Sequence, residues 1–308
     1  MRLAALSVDL DEIGCYAAIH GLEAPGRSGR AIYDKALPRL RALFASEGVP
    51  CTFFAIGRDL DRDNGARLRM LAEEGHEIAN HSLDHLYDLT RRDRATITRE
   101  IAGGMEAIER AVGVVPLGFR APGYTITDAV FEVLEELGVA YDSSVFPCPA
   151  YYLAKTGAIG AIRLRGRRSR SVVDDPRVLS APADPYRVGT PYWRRGDGVL
   201  ELPIGVSRGP RLPYIGTSVV LSGETGAAIL SRAIVGRPLV NLELHGIDLA
   251  DAEEDGLGWL RPHQPDLAKS AQAKERALRS AIGTLRDAGY RFVTLGEAAE
   301  AFAGSSAG

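Results

Sequence analysis

The chain has 308 residues, of which 45% are hydrophobic, so it is long enough for one large α/β domain or two smaller ones. Its 37 basic and 40 acidic side chains leave a net charge of −3, which does not suggest a nucleic-acid-binding surface. No segment approaches the roughly 18 apolar residues of a membrane span, so we expect no integral membrane segment. The N-terminal sequence lacks the apolar stretch of a signal peptide, and we therefore expect a cytoplasmic protein.

The first half of the chain alternates short apolar runs with amphipathic stretches, a pattern typical of strands alternating with helices. Strands are predicted at 3–8, 51–56, 76–80, 116–120 and 138–144. Helices are predicted at 31–47 and 66–75, along the apolar positions of 97–112, and from the capping residue Thr127 to about 137.

The second half begins with a stretch, about 147–198, that is rich in Pro, Gly and Arg and is predicted to be an irregular insertion with a few short strands. Its basic cluster, Arg163 to Arg170, is either a solvated loop or a contact for an anionic ligand. Strands follow at 198–204, 239–246 and 290–295, and helices at 224–234, at 267–288 and at the C-terminus. Seven or eight strands alternating with helices indicate one domain, 1–308, with a parallel sheet that is open or closed into a barrel.

The cysteines do not indicate a disulfide framework or a cysteine-based zinc site. Three are present, Cys15, Cys51 and Cys148, an odd number at wide spacings. A zinc site built from thiolates would need closely spaced pairs, and the sequence has none.

Polar side chains lie at or just beyond the ends of several predicted strands. In a (β/α) barrel the C-terminal ends of all strands open on one face, which carries the active site. If the barrel is correct, residues from distant parts of the sequence meet on that face: Asp9, Asp11, His81, His85, Arg120, Asp142 and His245.

The segment HSLDH places His81 and His85 four residues apart, so on a helix both imidazoles would lie on one face and could reach one ion. Imidazole suits zinc and similar divalent metals, and a carboxylate from Asp9 or Asp11 could be the third ligand of an open site. An isolated pair of this kind is more often a surface helix with two chance histidines.

The other candidates also have ordinary explanations. Asp9 and Asp11 are two residues apart and can face the same way, one binding metal and one handling protons, although Asp is also common in loops and helix caps. Arg120 could grip a carboxylate through two hydrogen bonds, or it could be a surface residue. A lone histidine such as His245 is more often structural than catalytic.

Taken together and in order, SVDLD, TFFAIG, HSLDH, RAPGY, YDSS and LELH resemble the polysaccharide deacetylase (NodB-homology) family of carbohydrate esterases. The resemblance runs from about residue 3 to residue 300, with 147–198 uninformative. It implies a distorted (β/α) barrel of seven or eight strands. It also implies a divalent-metal enzyme that removes N-acetyl, or less often O-acetyl or formyl, groups.

The resemblance assigns roles to individual residues. His81 and His85 match the metal-binding histidines, and Asp9 matches the catalytic base that an arginine, here Arg120, holds in place. Tyr124 matches the position whose backbone N–H helps to form the oxyanion hole, and His245 matches the catalytic acid.

The sequence departs from the family pattern in two places. The usual pattern has adjacent aspartates, whereas Leu10 separates Asp9 from Asp11 here. We assign Asp11 to the metal, and we note that a spaced pair also resembles the branch that deformylates lipid-linked aminosugars. The family's Asp-Trp element has only Trp193 and the LELPIG run as candidates, so the partner of His245 stays open.

We therefore expect a metal-dependent deacetylase with one divalent ion, zinc first, with cobalt, nickel and manganese as alternatives. The expected substrate is an acylated aminosugar, small and nucleotide-linked or lipid-linked, contacted by Asp142, Tyr192 and Trp193. The alternatives are a deformylase, a cyclic amide or ureide hydrolase on the same barrel, and an inactive sugar-binding protein. The oligomeric state is open, with a homodimer as one option.

Overall fold

The computed structural model describes residues 2–26 and 29–304. Its strands are β1 (Leu3–Asp9), β2 (Cys51–Ala55), β3 (Glu77–Asn80), β4 (Gly118–Phe119), β5 (Tyr141–Asp142), β6 (Tyr186–Val188), β7 (Arg195–Glu201), β8 (Leu239–His245) and β9 (Arg291–Val293). Its α-helices are α1 (Ile13–Ile19), α2 (Leu37–Glu47), α3 (Arg62–Glu73), α4 (Arg94–Val112), α5 (Asp128–Glu136), α6 (Pro149–Leu164), α7 (Gly216–Ile234), α8 (Ala271–Asp287) and α9 (Leu295–Ala303).

Short helical turns connect these elements. A π-helical turn at Ile32–Ala36 leads into α2, and 3₁₀ turns lie at Gly57–Asp59, Leu89–Arg91, Pro122–Tyr124, Pro176–Ser180, Gly246–Leu249 and Pro265–Ala268. In the part of the chain that the structure describes, no helix combines the length and the apolarity needed to cross a bilayer.

The strands form one curled sheet in the order β6-β7-β5-β4-β3-β2-β1-β8, and β9 pairs with the first residues of β1. Neighbouring strands are parallel except for the β6–β7 pair. The chain beyond β7 approaches β8 through a hydrogen bond from the Gly205 N–H to the Asn241 carbonyl. The predicted α/β barrel architecture is confirmed as a half-barrel with helices packed around it.

The central strands are buried along their whole length, which explains their continuous apolar sequences. Every residue of β1 is buried, and a strand covered on both faces needs an apolar run rather than an alternating one. The register places Asp9 opposite His245 on one side and Phe54 on the other. The C-terminal ends of β1, β2 and β8 therefore meet at one edge.

The predicted irregular insertion is wrong over Pro149–Leu164, which forms the 16-residue helix α6. Pro149 occupies the first turn, where its fixed φ and missing N–H favour helix formation, so it marks a helix start rather than a loop. The basic cluster accordingly begins in the last turn of α6 and continues into a loop. Within the same insertion, β6 and the start of β7 are the expected short strands.

Other boundaries differ in smaller ways. Helix α1 was not predicted, because its seven residues are too few to show a clear period. The helix predicted at 224–234 is present as the second part of α7, which breaks at Gly223 (φ +67°); its first part, from Gly216, was not predicted. The strands predicted at 116–120 and 138–144 shrink to the two-residue β4 and β5, which pair with each other through two residues.

Candidate active site

Arg120 and Asp9 form a buried ion pair at the C-terminal edge of the sheet. Arg120 Nη1 lies 2.7 Å from Asp9 Oδ1, and both side chains are almost completely buried. The remaining guanidinium donors bind Ser7 Oγ at 2.9 Å, Ser143 Oγ at 2.9 Å and the Ser143 carbonyl at 2.8 Å. The guanidinium also lies 4.1 Å above the ring of Phe54. These contacts fix the orientation of Asp9 and confirm that Arg120 is not a surface residue.

Asp11 faces both histidines of HSLDH. Its Oδ1 lies 3.3 Å from His81 Nε2, and its Oδ2 lies 3.2 Å from His85 Nε2. The expected helix at this segment is wrong, because the chain is a loop with positive φ at Ser82 and His85. Ser82 Oγ accepts a hydrogen bond from the His85 N–H, and this turn brings the two rings to a centroid distance of 4.9 Å.

His81 is oriented as a ligand would be. Its Nδ1 lies 2.8 Å from the Arg120 carbonyl oxygen, which makes Nδ1 the donor and directs Nε2 toward Asp11. Metal-binding histidines commonly hold their second nitrogen in this way. Arg120 therefore orients two residues of the site: Asp9 through its guanidinium group and His81 through its backbone carbonyl.

Several buried polar atoms here have no hydrogen-bond partner within residues 2–26 and 29–304: Asp9 Oδ2, Asp11 Oδ1, His85 Nδ1 and His85 Nε2. Burial raises the pKa of Asp11, but His85 and His81 outweigh it and hold that pKa well below its ordinary value. Burial lowers the pKa of His85, so its ring stays neutral near pH 7 and offers a lone pair. An ionised carboxylate beside imidazole nitrogens without partners is the donor set that suits zinc and related ions.

Cys15 joins this group, and the sequence did not indicate it. One ligand atom from each of Asp11, Cys15 and His85 lies within 4.8 Å of the others. Arg58 Nη2 contacts the sulfur at 3.4 Å. A single cysteine forms no recognisable sequence motif. Cys15 could have been found only by predicting that helix α1 begins directly after DLDE, which places Cys15 four residues after Asp11 at the same edge of the sheet.

His245 has a buried carboxylate partner in Glu243, two residues earlier on β8. The distance from His245 Nδ1 to Glu243 Oε1 is 3.0 Å, and the side chain of Glu243 is fully buried. Burial works to lower the pKa of His245, but Glu243 and then Asp9 outweigh it and raise that pKa well above its ordinary value. The partner left open by the sequence is thus Glu243. Residues two apart on a strand point the same way, a signal that could have found it.

The backbone of Tyr124 adopts a left-handed conformation. Its backbone φ is +58°, and its N–H donates to the Ala121 carbonyl at 3.0 Å. Because that N–H already has an acceptor, the expected oxyanion-hole role does not fit this conformation. Its hydroxyl lies 3.3 Å from His245 Nε2 instead, so the side chain faces the candidate acid.

The three expected substrate contacts lie away from these groups. Asp142 is buried and accepts hydrogen bonds from the Ser144 N–H and hydroxyl, at 2.9 and 2.8 Å. Tyr192 is 1% exposed and packs on Phe131 in the second hydrophobic cluster, against which Trp193 also packs. None of these side chains lines the cleft at His85, and their role as substrate contacts stays a prediction.

Residues 30–141 match the family model described as polysaccharide deacetylase. This stretch contains His81, His85, Arg120 and Tyr124, the residues that carry the HSLDH and RAPGY motifs. Over this stretch, about a third of its length, the chain is similar to the polysaccharide deacetylase family. Asp9, Asp11 and His245 lie outside the matched stretch, and their proximity to it comes from the fold.

Two curated relatives that match part of the chain are named as deacetylases. A peptidoglycan-N-acetylglucosamine deacetylase of Bacillus cereus is 37% identical over 101 residues, which is 33% of this chain and 46% of the relative. A chitooligosaccharide deacetylase of Rhizobium leguminosarum bv. trifolii is 42% identical over 69 residues, or 22% of this chain and 31% of the relative. The chain thus spans less than half the length of these curated relatives.

Solved structures of similar fold cover nearly the whole chain. A structure assigned to the polysaccharide deacetylases, from Mycobacterium smegmatis, superposes with a TM-score of 0.60 at 18% identity, over 99% of this chain and 91% of that one. The CE4 domain of a multidomain xylanase from the hindgut metagenome of Trinervitermes trinervoides gives a TM-score of 0.50 at 15% identity, over 96% and 88%. At these identities the similarity concerns the fold alone.

Proposed function

We propose that this protein is a metal-dependent deacetylase that hydrolyses the N-acyl group of an aminosugar. One observation carries the proposal. Asp9 binds Arg120 with one carboxylate oxygen and keeps the other free, 3.7 Å from His81 Nε2. Ligand atoms of Asp9, Glu243 and His245 also lie within 4.8 Å of one another. A free carboxylate oxygen thus lies close to both the candidate metal ligands and a candidate proton donor.

In this proposal Asp9 accepts the proton of the attacking water through Oδ2, and Arg120 keeps that oxygen pointed into the site. His245 donates a proton to the leaving nitrogen, because its raised pKa keeps the imidazole protonated at neutral pH. Glu243 holds the His245 ring through Nδ1, which leaves Nε2 to face the substrate. The Tyr124 hydroxyl, 3.3 Å from that nitrogen, can bind the substrate at the same place.

Asp11, His81 and His85 would hold one divalent ion, with zinc as the first choice and cobalt, nickel or manganese as alternatives. Their buried atoms without partners fit such an ion, as described above. An ion held by these residues would supply Lewis-acid chemistry, polarising an acyl carbonyl and lowering the pKa of a bound water.

We propose a small, nucleotide-linked or lipid-linked acetamido sugar as the substrate, in keeping with the cytoplasmic location expected from the sequence. His85 lines a cleft of about 590 Å³. Four arginines line it as well, Arg58, Arg91, Arg92 and Arg170, against the two acidic residues Asp84 and Asp88. A basic cleft suits the phosphate groups of such a sugar better than an uncharged polymer.

The test is an amine- and acyl-release screen with the purified protein. N-acetylated and N-formylated aminosugars, free and phosphate-linked, are incubated with the wild type and with Asp9→Asn. Acetate release by the wild type that falls at least 100-fold in the variant supports the proposal. Formate release alone would make the protein a deformylase. Sugar binding without hydrolysis, at full metal occupancy, would make it a binding protein and overturn the proposal.

A further inference from the structure

Helix α6 presents an apolar face to solvent. The helix has no buried residue, and Leu153 and Leu164 are 70% and 91% exposed. Exposed apolar residues recur at helical spacing along its outer side: Ala150, Leu153, Ala154, Ala158, Ala161 and Leu164. A surface helix of a globular protein normally carries polar residues on that side. An apolar face left in water marks a contact surface for something else.

The inner side of α6 is held to the body of the protein, so the orientation of the apolar face is fixed. Lys155 Nζ donates to the Gly123 carbonyl at 2.7 Å, and the Tyr152 hydroxyl donates to the Asp174 carbonyl at 3.3 Å. The ring of Tyr151 packs on Phe146 at a centroid distance of 4.7 Å. The outward face is therefore a defined surface of the folded protein.

The same segment is strongly basic. Between Pro149 and Val173 the sequence contains no Asp or Glu and has six cationic residues: Lys155, Arg163, Arg165, Arg167, Arg168 and Arg170. The five arginines are exposed, and none forms an ion pair with any residue in 2–26 or 29–304. In a chain whose net charge is −3, this is a pronounced local excess of positive charge.

We infer that the outer face of α6 and the arginines that follow it dock on an anionic lipid bilayer surface. An apolar helix face flanked by cations is the pattern of a helix that lies in the membrane interface. Its 16 residues are fewer than the roughly 20 needed to cross a bilayer. Anionic lipids would neutralise the arginines, whereas a second copy of this segment has no carboxylate to offer them.

The docking segment, which is α6 together with the chain up to Val173, forms one wall of the opening to the candidate active site. At its first turns, Tyr151 packs on Tyr124, with ring centroids 5.9 Å apart. Beyond its end, Ser169, Arg170 and Val172 line the cleft that His85 also lines. A bilayer bound to α6 would thus lie beside that cleft. If the proposed deacetylase activity holds, on which this step rests, the substrate is an acylated aminosugar linked through phosphate to a membrane lipid.

The test is vesicle co-sedimentation of the full chain, with vesicles of phosphatidylcholine alone and of equal parts phosphatidylcholine and phosphatidylglycerol. Wild type should bind only the anionic vesicles, and less at high salt. The triple substitution Arg165→Gln, Arg167→Gln, Arg168→Gln should weaken binding by about 100-fold, at about fivefold for each arginine near the surface. Leu153→Glu with Leu164→Glu should abolish it, whereas Ile229→Glu, at an exposed apolar position on α7, should not.

Two outcomes would overturn the inference: no binding of wild type to anionic vesicles at low salt, or equal binding by the double glutamate variant. A wild-type dimer in light scattering that becomes monomeric in that variant would also overturn it, in favour of a second copy as the partner. Hydrolysis of a soluble acetylated aminosugar, measured in the same variants, should stay at the wild-type rate. Failure of the proposed activity would appear as no hydrolysis in wild type, whatever the vesicle result.

Discussion

Glu243 Oε1 lies 3.0 Å from His245 Nδ1, and the carboxylate is fully buried while the imidazole keeps about a quarter of its side chain exposed. Within residues 2–26 and 29–304, the carboxylate oxygens of Glu243 have no hydrogen-bond partner besides His245. The imidazolium of His245 is thus the main compensation for a carboxylate taken out of water. The pair ties the protonation state of the candidate acid to a single residue on the same strand.

We expect Glu243→Gln to lower the pKa of His245 and to shift the loss of activity to lower pH. His245 is protonated when it acts in the proposed reaction, so activity falls as the pH rises through its pKa.

The free energy of unfolding should also fall as the pH rises through that pKa. A histidine with a raised pKa in the folded state stabilises fully below about pH 6.5, the unfolded value, and loses that contribution as the pH rises through the folded value. The measurement is kcat/KM and unfolding free energy against pH, with Glu132→Gln on the surface as control. An unchanged high-pH limb would remove Glu243 from this role.

The second prediction separates an acid from a structural histidine at position 245. His245→Ala should slow hydrolysis of an amide, whose amine is a poor leaving group, far more than hydrolysis of an activated acetyl ester, which leaves without a proton. Both rates are measured on one preparation with its metal content. Equal losses on the two substrates, together with a lower melting temperature, would return His245 to a structural role.

A third prediction concerns the two aspartates. Asp9→Asn should keep the metal and lose about 100- to 10,000-fold in turnover, because it removes a general base. Asp11→Asn should lose metal instead, since Asp11 faces both His81 and His85. Metal per chain is measured by elemental analysis after dialysis, and turnover by acetate release. The opposite pattern would exchange the roles of the two residues.

The fourth prediction concerns which residues bind the metal. Asp11 and His85 could be joined either by His81 or by Cys15. We expect His81→Ala to lose metal and Cys15→Ser to keep it, because the Arg120 carbonyl orients His81 as a ligand and burial raises the pKa of the Cys15 thiol well above its usual range. Cobalt-loaded protein reports the choice by absorption spectroscopy, with Cys51→Ser as control. A thiolate-to-cobalt band that Cys15→Ser removes would make Cys15 a ligand.

The sequence predicted the location of the site better than its internal geometry. Strand ends can be inferred from apolar runs, and parallel strands place their ends on one edge, so Asp9, His81 and His245 could be grouped without a structure. The local conformations at HSLDH and at Tyr124 could not be inferred, because both depend on positive φ angles in non-glycine residues. Helix α6 escaped prediction because its exposed side is apolar, which reverses the usual pattern of a surface helix.

A buried acid pair below the site leads to the last prediction. Asp142 on β5 pairs in register with Glu201 on β7, and both are fully buried. Burial, and then repulsion from Asp142, raise the pKa of Glu201 well above its ordinary value, and burial also raises the pKa of Asp142. The folded protein therefore keeps a proton on the pair at a pH where the unfolded chain has released it.

The sign of the pH effect follows from that proton. A carboxyl group with a raised pKa in the folded state stabilises most below its unfolded pKa of about 4.3 and loses stability as the pH rises, by about 1.4 kcal/mol per pH unit, until the folded pKa is reached. Glu201→Gln carries no proton to lose, so its unfolding free energy should fall less steeply than that of wild type between about pH 5 and pH 8. Urea unfolding at several pH values measures the two slopes, with the exposed Glu135→Gln as the matched control. Parallel curves for wild type and Glu201→Gln would mean that the pair ionises in the folded protein as it does in the unfolded chain, and that Arg120 compensates its charge.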